Sequence, residues 1–194
     1  MSSSNRFPGE FDPVAHEYFV RGVRRPGVTR TLSAEGLVDD SWFTPEGAER
    51  GRHVHKACHL WRQGTLDEDT VDETIMPYLD GFKKFVTQSG FIILESEIKL
   101  YSEIYDFAGT VDIIGHFPDE DLFSIIDIKS GATLQRWVAL QTAAYHILWD
   151  DPTAKRFALQ LFPTSRYRLH EYKDRNDRNI YLAANALYRW KRAA

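Results

Sequence analysis

The chain has 194 residues, 43% of them apolar and 27% charged, with a net charge of −4, which is ordinary usage for one domain with a real core. Its one cysteine, Cys58, excludes a disulfide framework, a four-cysteine iron–sulfur cluster and a CxxC zinc site. No apolar run reaches the length of a membrane span and the opening "MSSSNRFPGEFDP" holds no hydrophobic signal core, so a cytoplasmic protein with no membrane partner is expected.

Residues 1 to about 30 are rich in Ser, Pro, Gly and Arg and read as an arm or irregular lead-in, followed by one domain over residues 31–194. "TRTLSAEGL" (29–37) predicts a short helix capped by Ser33. "TPEGAERGRHVHKACHLWRQG" (44–64) predicts a helix with Thr44 as N-cap, Pro45 in the first turn and Gly64 as the stop. Residues 67–90 read as a second helix, kinked or split at Pro77 and ended by Gly90. "FIILESEIKLYS" (91–102), "YDFAGTVDIIGHF" (105–117) and "DLFSIIDIKSG" (121–131) read as three strands. A helix over residues 134–150, a strand hairpin over 156–173 and a terminal helix over 175–194 complete the chain. This order predicts one α/β domain, a central mixed β-sheet flanked by α-helices.

Charge is unevenly placed. Residues 65–80 carry Asp67, Glu68, Asp69, Asp72, Glu73 and Asp80 and no base, whereas residues 165–194 hold eight Lys or Arg against three acids. Such basic patches suit a polyanion, although scattered solvated charge gives the same pattern.

Three charged side chains sit in the strands that look most buried. Asp127 and Lys129 are two apart, so in a strand they share a face, with Ile126 and Ile128 on the core side. Taken alone, D-x-K in a strand is a common charge pair. Asp112 stands in the preceding strand, where a hairpin brings it near Asp127. Two clustered carboxylates repel unless a cation or proton lies between them, and oxygen ligands suit a hard ion such as Mg²⁺ or Mn²⁺. A lysine beside such an ion would act as a point charge toward a phosphate oxygen or a developing hydroxide. Gly109 would admit close backbone approach.

Other candidates surround these three. His55 and His59 are four apart on one helical face, and with His53 they permit a zinc-hydrolase reading, but the run "HKACH" lacks the HExxH glutamate. Glu95 and Glu97 alternate onto one face of the strand before Asp112, as further acids or as a solvated edge. Gln141 and Tyr145 share a helical face soon after Lys129, as ligand-holding groups or as ordinary amphipathic patterning.

Taken in order, these segments resemble the PD-(D/E)XK nuclease superfamily, in its RecB-like and phage-type exonuclease branch. "GRHVH" is similar to its G-x-x-x-H helix motif, "ESEIKL" to its acidic strand, "GTVD" to G-x-x-D, "DIKSG" to D-x-K and "QTAAY" to Q-x-x-x-Y. The resemblance implies a restriction-endonuclease-like core and a Mg²⁺- or Mn²⁺-dependent deoxyribonuclease, an exonuclease acting on DNA ends in replication, phage recombination or repair. It implies His55, Asp112, Asp127 and the Ile128 carbonyl as metal ligands, and Asp112, Asp127, Lys129 and Glu97 as the catalytic set. It also implies Gln141, Tyr145 and Arg52 as substrate contacts. Expected partners are DNA and a homo-oligomer or recombination protein, in a host cytoplasm if phage-encoded. The competing function is a catalytically silent nuclease fold that binds nucleic acid or protein.

Overall fold

The computed structural model describes residues 5–41 and 43–193. A five-stranded mixed sheet is its centre: β4 (Ile92–Ser102), β5 (Phe107–His116), β6 (Ser124–Lys129), β7 (Lys155–Leu161) and β8 (Tyr167–Tyr172), in that spatial order. Three of its four pairings are antiparallel, and β6–β7 is parallel. A parallel pair needs a crossover, and α4 (Trp137–Trp149) supplies it.

Helices cover both faces. On one, α1 (Val28–Ala34), α4 and α5 (Asn176–Trp190) pack Val28, Leu32, Ala144, Leu148 and Tyr181 against Ile98, Leu100, Val111 and Ile125 of the sheet. On the other, α2 (Pro45–Gln63) and α3 (Met76–Ser89) pack Val54, Leu79, Phe82 and Phe85 against Ile113, Ile126, Ile128 and Leu159. The expected architecture, a mixed sheet flanked by helices, is the one observed. One detail differs: β6 is buried on both faces, because the α4 crossover lies over the face carrying Asp127. Gly109 of β5 explains how closely α4 comes, since a Cβ there would stand 2.9 Å from Leu148 and from Val28.

The caps of α2 follow the expected chemistry. Thr44 Oγ1 accepts from the Gly47 N–H at 3.0 Å, a cap worth about 1 kcal/mol, and Gly64 closes the helix at φ +69°. Two boundaries differ from expectation. Pro77 neither kinks nor splits a long helix; it lies in the first turn of α3, where its missing N–H is harmless, and Glu68–Thr70 is a separate 3₁₀ turn. Ser33 is not an N-cap, since α1 starts at Val28 and Ser33 falls in its last turn.

Residues read as an irregular lead-in are also ordered. β1 (Glu10–Asp12), β2 (Glu17–Val20) and β3 (Val23–Arg25) form a small antiparallel sheet. Tyr18 and Val20 bury themselves against Tyr101 and Ala108 of the β4–β5 hairpin, with Phe7 and Phe11 packed alongside. Three- and four-residue strands carry too few alternations to be read from pattern alone, and tertiary packing stabilises them.

Candidate metal centre

The centre lies where β4, β5 and β6 meet α2. The β5–β6 ladder ends at the Ile113–Ile126 pair, just before Asp112 and Asp127. Beyond it the Asp112 side chain takes over from the backbone, its Oδ2 accepting the Ile128 N–H at 2.6 Å. Asp112 is 6% exposed, and its Oδ1 lies 3.3 Å from His55 Nδ1. The other ring nitrogen of His55, Nε2, donates to the Ile128 carbonyl at 3.0 Å. Glu97 Oε1 stands 3.8 Å from His55 Nδ1. One donor atom each from His55, Glu97 and Asp112 lies within 4.8 Å of the others.

Glu97 reaches this position through an unusual backbone. It sits inside β4 at φ +54°, beside a register shift between Ile93 and Glu95. A non-glycine residue in the left-handed region costs about 1 kcal/mol and persists where the surroundings over-determine it. Glu95, its alternate in the sequence, is taken by Arg6 in an ion pair instead.

Electrostatics tie the cluster together. Burial opposes a charge on His55, but the Asp112 carboxylate, with help from Glu97, outweighs it and holds the imidazole protonated up to about 10. Burial works against an ionised Asp112 too, and the His55 charge, the nearby Lys129 and the Ile128 N–H together hold its carboxyl below the usual range. Asp127 behaves oppositely. It is 1% exposed and burial lifts it to about 6, even with Lys129 Nζ at 2.6 Å from Oδ2, because the Asp112 charge adds to the burial. Asp127 is outside the three-donor cluster, and its carboxylate faces Lys129.

Gln141 and Tyr145 are both 5% exposed and bond to each other, Gln141 Nε2 donating to Tyr145 Oη at 2.9 Å and to Thr29 Oγ1 at 3.3 Å. Among the described residues Gln141 Oε1 has no partner. Burial, with the charges of Asp127 and Asp112 close by, keeps the Tyr145 hydroxyl protonated. Arg52 is exposed on α2 and makes no ion pair among the described residues. The structure does not join the three histidines. His53 is exposed, and His59 is held by Ser96 Oγ at 2.7 Å and by Gln63 at 3.0 Å. Cys58 is buried, and burial together with the Asp112 and Glu97 charges pushes its thiol up, away from thiolate ligation.

One site residue escaped the sequence reading. The Trp137 ring lies under Lys129, with Nζ 5.3 Å from the ring centroid. Stepping the Q-x-x-x-Y spacing back by four from Gln141 leads to Trp137, so the signal was present.

The donor set fits a hard divalent ion. Two carboxylates and one imidazole are the oxygen-rich mixture that suits Mg²⁺ or Mn²⁺. Coordination would require His55 to give up a proton that now bridges to Asp112.

No family model matches the chain, and no curated protein sequence matches it. Among solved structures it is similar to a presumptive exonuclease from Eubacterium rectale, at TM-score 0.49 and 10% identity, over 84% of this chain and 71% of that one. It is similar also to an alkaline exonuclease from Laribacter hongkongensis, at TM-score 0.43 and 10% identity, over 87% and 92% of the two chains. A complex of that enzyme with dAMP gives TM-score 0.42 and 12% identity, over 86% and 87%. All three scores lie below 0.5, so the functional reading rests on the site's own chemistry.

Proposed function

We propose that this protein is a Mg²⁺- or Mn²⁺-dependent deoxyribonuclease that hydrolyses phosphodiester bonds from DNA ends. The observation that carries the reading is the juxtaposition of two elements. One is a His55–Glu97–Asp112 donor cluster; the other is the pair of buried Asp127 and half-buried Lys129 on the adjoining strand. A cation site beside a fixed ammonium is what phosphoryl chemistry requires.

His55 Nδ1, Glu97 and Asp112 would hold the ion, the Ile128 carbonyl would keep the His55 ring oriented through Nε2–H, and Asp127 would turn toward the ion from the Lys129 side. The bound ion would polarise a phosphate oxygen and acidify water. Lys129 places its charge where the phosphate becomes more negative, and its Nζ orients the attacking water. Asp127 fixes the direction of that ammonium, and the Trp137 ring supports it from below. Arg52, exposed on α2, would contact the nucleotide chain, and the buried Gln141–Tyr145 pair would orient the neighbourhood of Asp127 and Lys129.

The test is incubation of purified protein with end-labelled linear duplex, single strand and covalently closed circle, each with Mg²⁺, Mn²⁺ or EDTA. Metal-dependent loss of the linear substrates, with the circle spared and Lys129→Ala inactive, is expected. Cutting of the circle would make the enzyme an endonuclease. DNA bound but uncut under every condition would favour a silent binding module.

A further inference from the structure

Phe43 is 54% exposed. It directly precedes Thr44, the N-cap of α2, the helix that carries His55. Its ring meets Trp137, the first residue of α4, with centroids 6.5 Å apart and planes at 70°. The indole is not free to swing: Nε1 donates to Gln135 Oε1 at 2.6 Å, which fixes the ring's plane. Lys129 Nζ stands 5.3 Å from the centre of the same ring. Two aromatic side chains from separate elements therefore form an angled apolar surface beside the ammonium that the proposed chemistry assigns to phosphate.

A phosphate never arrives without its nucleoside. If Lys129 takes the phosphate, the attached base lies within one nucleotide's reach, and the Phe43–Trp137 pair stands beside that ammonium. Aromatic side chains hold bases by their π-faces, without regard to sequence. A base inside a duplex has both faces covered by its neighbours. Only an unpaired or terminal base has a face to offer.

We infer that Phe43 and Trp137 form a stacking platform for one unpaired nucleobase next to the scissile phosphate. The substrate is then a single strand or a frayed end, and the interior of a duplex is excluded. This rests on the deoxyribonuclease reading and adds the substrate class to it.

The experiment is anisotropy of labelled oligothymidylate with Ca²⁺ in place of Mg²⁺, for the wild type, Trp137→Ala, Trp137→Phe and Phe43→Ala. Each is measured on the intact oligomer and on a set with one abasic position moved along the strand. Trp137→Ala should weaken binding to the intact strand about tenfold. One abasic position should cost the wild type a similar factor and cost Trp137→Ala nothing more. Trp137→Phe should recover most of the affinity, and Phe43→Ala, at an exposed side chain, should lose several-fold with its thermal melt unchanged. If wild type binds and Trp137→Ala binds equally well, losing only turnover, the ring merely supports Lys129 and the platform is refuted. A wild type that binds no strand at all removes the deoxyribonuclease reading and the platform with it.

Discussion

The Ile128 N–H donates to the Asp112 carboxylate where a sheet would normally supply a backbone carbonyl. One side chain thus satisfies a buried amide of β6, balances His55 and offers an oxygen to a cation. Asp112→Ala would orphan the amide and leave His55 without its counter-charge. The expected loss is about 3 kcal/mol, measured by urea unfolding at pH 7. Asp112→Asn keeps an acceptor for Ile128 and should lose only about 1 kcal/mol. Both should abolish Mn²⁺ binding by calorimetry. An Ala variant as stable as the parent would show that the carboxylate is not structural.

The pH dependence of the metal-free protein has a definite sign. His55 is raised to about 10, so its contribution is full below about 6.5 and is lost as pH climbs toward 10. Asp127 is raised to about 6, so ionising it penalises the folded state as pH passes from about 4 to 6. Both effects lower metal-free stability as pH rises. Ion affinity should move the other way, because the ion competes with the His55 proton. Unfolding midpoints at pH 6 and 9, with and without Mn²⁺, would read this; an ion-induced gain that shrinks at pH 9 would be contrary to it.

Glu97 makes opposite demands on stability and function. Glu97→Gly relieves a left-handed backbone and should stabilise the metal-free protein by up to about 1 kcal/mol. The same change removes a donor and should weaken Mn²⁺ binding at least tenfold. A variant with lower stability and unaltered ion affinity would mean that the strain serves packing.

Lys129→Ala should reduce cleavage at least a hundredfold while the protein still folds. Asp127 would lose its cation and its carboxyl would rise further above about 6. The variant should therefore be close to the parent in stability near pH 5 and fall behind it at pH 8. Retained turnover would remove Lys129 from the chemistry.

Elements with long periods were readable in advance: α2 from Thr44 to Gly64, the five strands of the central sheet, and α4 with Gln141 and Tyr145 on one face. Asp112 and His55 were readable as well, since a carboxylate in an apolar strand and a helical histidine are local anomalies. Features set by distant contacts were not. β1–β3 are too short and charged to announce themselves, and Glu97 breaks alternation through a backbone angle no residue type encodes. Phe43 and Trp137 are brought together only by the packing of α2 and α4 around β6. The C-terminal bases looked available to a polyanion, yet Arg189 pairs with Asp106, and Lys191 and Arg192 pair with Glu35. Net charge along a sequence does not reveal which charges are already matched.

The parallel β6–β7 pairing has a consequence for biosynthesis. The β4–β5 and β7–β8 hairpins are local and close quickly, but β6 gains its second neighbour only through the crossover over residues 130–154. His55 is bound to Ile128 from 73 residues away. A ribosome must therefore release β7 before Asp127 and Lys129 gain the one strand they are laddered to. Until then the nascent chain carries the donors of α2, β4 and β5 without a laddered Asp127–Lys129 pair beside them, so a site that needs both is complete only once β7 is made.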